Sequence, residues 1–447
     1  MGGNRIRRLV VSGSALALTM GMVTVGSSIG SAQAATKTPG VTAKQITIGA
    51  TVPLTGIASA GYSEVAKAAN AVFQWVNKKG GVNGRKIKYV LKDDCYGTPG
   101  FGCTGNPNTV AQTKALLQIP VFATVGSLGT PTQDSVRSLL KANGVPQLFV
   151  NSGSKDWNAS KLYPGLFGWQ TSYTVESKIM GQYIKKHFAG QSVCFLGQHD
   201  DFGANGLLGL TDVNIKPLDT IMYDVAGLVT GGSGYFTPFI SKFQADGCKI
   251  VVLDTIPGAT DAALGNALAL GYTPQWVISS VGADPVTVGA PFVGKPFPDP
   301  EIGAISFSYL PASTANNKWN GWMHKVMEND HADFPTFNAT TPLDGNMAYG
   351  IGWGVAFVEA LKASGRNFTR ASFLKTLTHT TLQTPALVPL AYTATNHQGL
   401  LGGYVVKVKS ATQTAVLDPT VYTTGPTKAS KIVKTKLLSR SIPAWLQ

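Results

Sequence analysis

At 447 residues the chain exceeds what one hydrophobic core usually organises, so two domains or one large α/β body are expected. Hydrophobic residues make up 44% and charged residues 13%, a balance that excludes disorder as a whole-chain description. The net charge is +14, but the cations are scattered and not interleaved with aromatic residues, which speaks against nucleic acid and favours an anionic cell wall or membrane surface.

Taken in chain order, Arg5, Arg7 and Arg8 precede an apolar, acid-free run from Leu9 to about Ile29, and Ala32-Gln33-Ala34 then offers the small residues a signal peptidase cuts behind. An export signal cleaved after Ala34 is predicted rather than a membrane anchor, because Gly and Ser punctuate the run. No cysteine adjoins the cut, so a lipid anchor is not indicated. Loss of the three arginines lowers the net charge to +11, since residues 1–34 contain no acid. The mature chain is expected to be soluble in the periplasm or cell wall.

Ile46–Val52 alternates and is rich in β-branched residues, Pro53-Leu54-Thr55-Gly56 breaks it, and Tyr62–Asn77 has helical apolar spacing. A strand at Lys86–Leu91, a helix at Asn108–Leu117 and a strand at Val121–Val125 follow. Thr130-Pro131-Thr132-Gln133 predicts a helix start, with a capping hydroxyl, Pro at the first helical position and Gln three residues on. Gln147–Val150 reads as a fourth strand. From Ser192 the pattern restarts with strand Ser192–Leu196, loop His199–Gly203, a helical stretch, strand Ile221–Ala226, helix Thr237–Ala245, strand Lys249–Leu253, helix Asp261–Leu270 and strand Gln275–Ser279. Strands alternating with helices in two successive blocks imply two α/β lobes with mainly parallel sheets. The basic end, with Lys428, Lys431, Lys434, Lys436 and Arg440, is free to be disordered, docked or tethering on this reading.

In an exported chain four cysteines are read first as two disulfides. Cys95 and Cys103 flank a short Gly/Pro-rich loop and are expected to pair. Cys194 and Cys248 lie at two candidate strands; they pair if those strands are neighbours and otherwise remain buried thiols. The spacings fit no zinc site and the six histidines form no HExxH, so no metal is expected.

Thr51–Gly56, Lys79–Gly84, Asp93-Asp94-Cys95, Gly144-Val145-Pro146, Asp201-Phe202-Gly203 and Phe236-Thr237-Pro238 leading to Ala245-Asp246-Gly247 stand in the order found in type I periplasmic binding proteins. Over about residues 44–405 the chain resembles their leucine/isoleucine/valine-binding branch. The resemblance implies two Rossmann-like lobes joined by a three-segment hinge, closing on a small molecule and delivering it to the permease of an ABC transporter. It places the crossings near Gly168–Gln170, Ser308–Leu310 and Pro389–Tyr392. Lobe 1 would then be residues 35–168 with 312–388, lobe 2 residues 169–311 with 389–410, and the basic tail 411–447. A monomer without cofactor or nucleic-acid partner is implied.

In open α/β sheets a ligand sits beyond the carboxyl ends of the strands, near helix N-termini. Thr130 and Thr132 begin such a helix, and by similarity Thr130 falls at the family's carboxylate-binding serine. Ser152-Gly153-Ser154 matches the second carboxylate loop. Across the cleft Phe202 falls at a ligand-facing tyrosine, and Tyr62 and Trp169 are candidates for the remaining walls. The position of the acid that pairs with a ligand ammonium reads Ser280, so either another acid such as Asp254 or Asp284 substitutes or the ligand is not an α-amino acid. A second departure is Gly129, where the family has a long-range disulfide partner; Cys103 supplies a local one.

An enzyme is not expected: Gly126-Ser127-Leu128-Gly129 lacks the spacing of a nucleophile elbow, and phosphate-loop and dinucleotide fingerprints are absent. A ligand-sensing receptor uncoupled from a permease is the alternative to transport.

Overall fold

A computed structural model describes residues 38–98, 100, 102–105, 107–315, 317–437 and 441–447. The expected export signal and its cleavage site lie outside them. The first sheet holds β1 (Gln45–Val52), β2 (Lys86–Asp93), β3 (Thr124–Val125), β4 (Gln147–Val150) and β5 (Leu166–Gly168), all parallel in the order β2-β1-β3-β4-β5. It is served by α1 (Ser59–Lys78), α2 (Thr109–Leu117), α3 (Thr130–Asp134) and α4 (Arg137–Ala142). From Ile46 onward β1 is buried on both faces, as a parallel strand between helix layers must be.

The chain then leaves through α5 (Tyr173–His187) and builds a second sheet from β6 (Val193–Gln198), β7 (Asp219–Tyr223), β8 (Ile250–Asp254), β9 (Gln275–Ile278) and β10 (Ile305–Ser308). Its helices are α6 (Asp201–Asp212), α7 (Val225–Gly231), α8 (Thr237–Ala245), α9 (Pro257–Ala269) and the single turn α10 (Pro285–Val288). After β10 come α11 (Lys318–Glu328), α12 (Gly345–Ala363), α13 (Arg370–Leu377) and a small antiparallel pair, β11 (Thr381–Leu382) with β12 (Leu390–Ala391). Helix α12 packs along α1 because Gly350 and Gly354, one turn apart, let it approach the Val65 carbonyl and Ala69; a Cβ at Gly350 would collide with that carbonyl. This pairing returns the segment after β10 to the first sheet's side and fixes Tyr62 at the head of α1.

The chain then crosses back to add β13 (Gly402–Ser410), β14 (Gln413–Thr423) and β15 (Val433–Thr435) as antiparallel strands on the edge beyond β10. The last residues return to the first sheet's helices: Leu446 is fully buried, and its carbonyl accepts the indole N–H of Trp75 on α1 (2.8 Å) and of Trp322 on α11 (3.3 Å). The basic end therefore docks where it is described.

Both disulfides form, with Cα separations of 5.9 Å for Cys95–Cys103 and 5.8 Å for Cys194–Cys248, inside the range a bridge requires. The second joins β6 to the turn before its parallel neighbour β8. Four expected elements differ; the helix expected at Asp261–Leu270 begins at Pro257, with Pro at its first position. Strand β3 contracts to Thr124–Val125, although Phe122 still donates to Thr47 and Ala123 accepts from Gly49. The strand expected to run to Ala226 ends at Tyr223, because Val225 opens α7. The His199–Gly203 loop becomes helix at Asp201, since the Asp200 carboxylate caps the N–H of Phe202 at 2.8 Å.

Candidate functional site

The carboxyl ends of the parallel strands of the two sheets converge on one cavity. Its walls come from both sides: Tyr62 and Val65 of α1, Leu128 and Asn151 after β3 and β4, and Tyr349 of α12 face Tyr173 of α5, Phe202 of α6, Ser280 after β9 and Tyr309 after β10. Tyr96 joins them from the disulfide loop. The cavity volume is about 140 Å³, on the scale of one small aromatic or branched aliphatic body.

Hydrogen bonds cross the cavity between the two sides. Tyr62 OH donates to the Val281 carbonyl (3.1 Å), Gln198 Nε2 to Tyr96 OH (3.3 Å), the Gly345 N–H to Asp284 Oδ2 (2.7 Å), and Asn346 Nδ2 to Thr287 Oγ1 (3.0 Å). Asp284 sits among Asp344 and Glu64; burial first, then mutual repulsion with Asp284 and Glu64, pushes the Asp344 carboxyl well above its ordinary range.

The sequence motifs acquire local roles. Asp93 accepts the N–H groups of Leu54 (3.0 Å) and Cys95 (3.0 Å), which ties the Pro53–Gly56 turn to the disulfide loop and so presents Tyr96. Asp94 caps the next turn and accepts Thr109 Oγ1 at 2.9 Å; burial pushes its carboxyl up to about 7. The N-cap of α3 is Gly129 at φ 113°, not Thr130, and Gln133 reaches Thr51 Oγ1 (3.1 Å) instead of closing a capping box. Gly129 is needed there because a side chain resists positive φ.

Thr130 is thereby released toward Ser152. Their hydroxyls are 2.7 Å apart, and Tyr173 OH lies 3.1 Å from Thr130 Oγ1 and 3.2 Å from Ser152 Oγ. Thr130 and Ser152 thus stand one hydrogen bond behind the wall, while Tyr62, Phe202 and Ser280 line it. Asp284, named as a possible substitute acid, lines it as well, whereas Thr132, Ser154, Trp169 and Asp254 do not. Thr132 Oγ1 turns back onto the Leu128 carbonyl (2.7 Å). Ser154 caps the turn at Lys155–Asn158 and reaches Asp201 Oδ2 (3.3 Å). Trp169 is fully buried in the core. Asp254 is sealed beneath α6, where a Cβ at Gly206 would collide with its carboxylate.

Sequence reasoning missed Gln170 and Glu176. Gln170 follows Trp169 in the segment just after β5; Trp169 is buried in the core and Gln170 lines the cavity. Tyr349 OH lies 2.7 Å from Gln170 Oε1, leaving Nε2 without a partner; Asn151 gives its amide N–H to Gly126 O (2.9 Å), leaving Oδ1 unpartnered. Glu176, on the first turns of α5, accepts the Ser280 N–H at Oε1 and the Ser280 hydroxyl at Oε2, both at 2.7 Å. Burial pushes its carboxyl up to about 7 and that of Tyr173 up to about 12. A carboxylate from another element thus stands directly behind Ser280. Among the described residues no group of three or more His, Cys, Asp or Glu is arranged to hold a metal, and no helix is long and apolar enough to cross a membrane.

Residues 45–413 match the family described as periplasmic binding protein. Over 211 residues the chain is 28% identical to the Leu/Ile/Val-binding protein homolog 3 of Brucella melitensis biotype 1; the match covers 46% of this chain and 53% of that protein, so the chain spans about half of that relative's length. Among solved structures it is similar to a fatty acid ABC transporter substrate-binding protein from Thermomonospora curvata (TM-score 0.69, 17% identity, 86% of this chain and 93% of that one). A branched chain amino acid ABC transporter from Thermus thermophilus with bound valine gives a TM-score of 0.68 at 15% identity (85% and 96%). An R. palustris solute binding protein in complex with benzoate gives 0.68 at 14% (89% and 99%). At these identities the structural likeness establishes the fold.

Proposed function

Because the chain belongs to the periplasmic binding protein family, we propose that it is the substrate-binding protein of an ABC importer, taking a small hydrophobic amino acid or a related carboxylate or amide between its lobes and passing it to a membrane permease. The family and the structural neighbours are substrate-binding proteins rather than enzymes, and the family is extracytoplasmic. The observation that carries this reading is the cavity itself: it lies at the carboxyl ends of both parallel sheets, is walled from both sides, and is spanned by hydrogen bonds that only an approach of the two sides can make.

In this reading the lobes are residues 35–168 with 312–388 and residues 169–311 with 389–410, the latter extended past the expected boundary by β14 and β15 on the same sheet, and ligand binding closes one on the other. In that mechanism Tyr62, Phe202 and Ser280 touch the ligand directly, Thr130 and Ser152 act through Tyr173, and Thr132, Ser154, Trp169 and Asp254 hold the frame. Ligand binds one lobe of the open form, and contacts with the other stabilise the closed form by their differential affinity.

The test is a thermal-shift screen of ligand-stripped protein against amino acids, aliphatic and aromatic carboxylates, amides and ureas. A ligand that binds only the native state raises the melting temperature by mass action. A rise with a small hydrophobic member of one of these classes supports the reading. A flat response across all of them contradicts it.

A further inference from the structure

We propose that the ligand is held through one uncharged polar group that offers both a lone pair and an N–H, as a carboxamide does, and that Gln170 and Asn151 are the residues that select it. The inference rests on the reading that this cavity is the ligand site, and it narrows the ligand class.

Three observations carry it. First, two side-chain amides in the wall are each half used. Gln170 is 4% exposed and Asn151 5%, and both line the cavity. Gln170 Oε1 accepts the Tyr349 hydroxyl at 2.7 Å, which leaves its Nε2 a donor without a partner. Asn151 Nδ2 donates to the Gly126 carbonyl at 2.9 Å, which leaves its Oδ1 an acceptor without a partner. Turning the Asn151 amide over would set Oδ1 against that carbonyl, so its orientation is fixed. Buried polar groups are normally paired, so a free donor and a free acceptor in one wall call for a ligand that answers both.

Second, the fold sets these two amides side by side. Strands β4 and β5 are parallel neighbours with Val150 beside Gly168, and the Trp169 N–H donates to the Val150 carbonyl at 3.3 Å. Asn151 and Gln170 leave the carboxyl ends of those adjacent strands one and two residues beyond that pair.

Third, the cavity offers no cation, and its acids are engaged by protein. Among the described residues lining it none is Lys, Arg or His. Where the resemblance puts a ligand carboxylate, the hydroxyls of Thr130, Ser152 and Tyr173 bond to one another at 2.7–3.2 Å. Asp284 accepts the N–H groups of Gly345 (2.7 Å) and Thr287 (3.0 Å), and Asp344 that of Met347 (2.6 Å). A carboxylate has no hydrogen for Asn151 Oδ1, and an ammonium has no lone pair for Gln170 Nε2. An amino acid zwitterion has both, but its carboxylate would be desolvated with no cation to pair with. A carboxamide answers both groups without charge, while its apolar body packs against the rings of Tyr62, Phe202 and Tyr349.

Calorimetry of ligand-stripped wild-type protein compares two matched sets: 3-phenylpropanamide, 3-phenylpropanoate, 2-phenylethylamine and phenylalanine; and 4-methylpentanamide, 4-methylpentanoate, 3-methylbutylamine and leucine. In the set that fits, the amide should bind at least roughly tenfold tighter than the other three. Gln170→Glu keeps the oxygen that faces Tyr349 and replaces the free donor by a second oxygen. It should erase that ratio by weakening the amide while leaving the amine no weaker. Gln170→Met, which puts no charge in the wall, is the second variant should the first fail to fold, and is expected to reduce the same ratio. A structural role alone would weaken all four compounds together. A carboxylate, amine or amino acid that binds as tightly as its amide overturns this inference and leaves the substrate-binding reading standing, and so does a ratio that survives substitution of Gln170. Failure of every compound to bind overturns both.

Discussion

Lys178 shows how much a single residue can hold. It is 1% exposed, and its ammonium donates to the carbonyls of Gly425 (3.1 Å), Thr427 (2.7 Å) and Ser430 (2.8 Å), so its three hydrogens meet three acceptors. Lys178→Met keeps the stem but strands three carbonyls, and should cost about 3 kcal/mol; chemical denaturation of the two proteins measures it, and an unchanged midpoint contradicts the anchor. In the sequence Lys178 is one of many scattered cations, and lysine is by default exposed, so nothing flagged it. Glu176 was hidden for a similar reason. An acid in the first turns of a helix is accounted for by the helix dipole alone, and only tertiary packing reveals that its partner is Ser280, 104 residues away. Phe202 could be named from its Asp-Phe-Gly motif, Ser280 from the position it takes in the family's order and Tyr62 as an aromatic near the first loop, and all three line the cavity. Gln170 was not, because the indole beside it looked like the better wall.

At the scale of elements, strands with β-branched runs and helices with clean caps were legible nearly to their ends, as β1 and α2 show. The errors fall where a local feature outweighs pattern: Val225 opening a helix, or Gly129 taking the cap from Thr130. The C-terminal segment was left open because its Thr/Lys-rich composition resembles a solvated tail. Its hold is set by a few long-range contacts: Leu446 buried between Trp75 and Trp322, and the Lys362 ammonium 5.3 Å from the Trp445 ring. Deleting residues 441–447 should therefore lower the melting temperature and shift tryptophan emission to longer wavelength as Trp75 and Trp322 meet water. Unchanged stability and emission would show that the segment contributes nothing to the fold.

For the whole molecule, buried acids decide the response to pH. Burial pushes Asp94 and Glu176 up to about 7 and Asp261 up to about 8, from ordinary values of 3.8, 4.5 and 3.8. Between those ordinary values and the raised ones the folded chain holds protons that the unfolded chain has released. These groups therefore stabilise most at the acid end, and their contribution is lost as pH rises through about 7–8, by at most about 1.4 kcal/mol per group for each pH unit. The melting temperature should fall from about pH 5 to about pH 8; a rise over that interval contradicts the assignment. Proton uptake also favours the approached lobes, because Asp284 meets Asp344 and Glu64 across the cavity.

Closure on a ligand is the claim on which the rest depends, and small-angle scattering tests it most directly. The ligand-stripped protein is measured alone and then with a saturating amount of whichever compound in the thermal-shift screen raises its melting temperature. A smaller radius of gyration with the compound, reversed on its removal, is the predicted result. A bound compound that leaves the scattering curve unchanged would mean that the two sides do not move together around it.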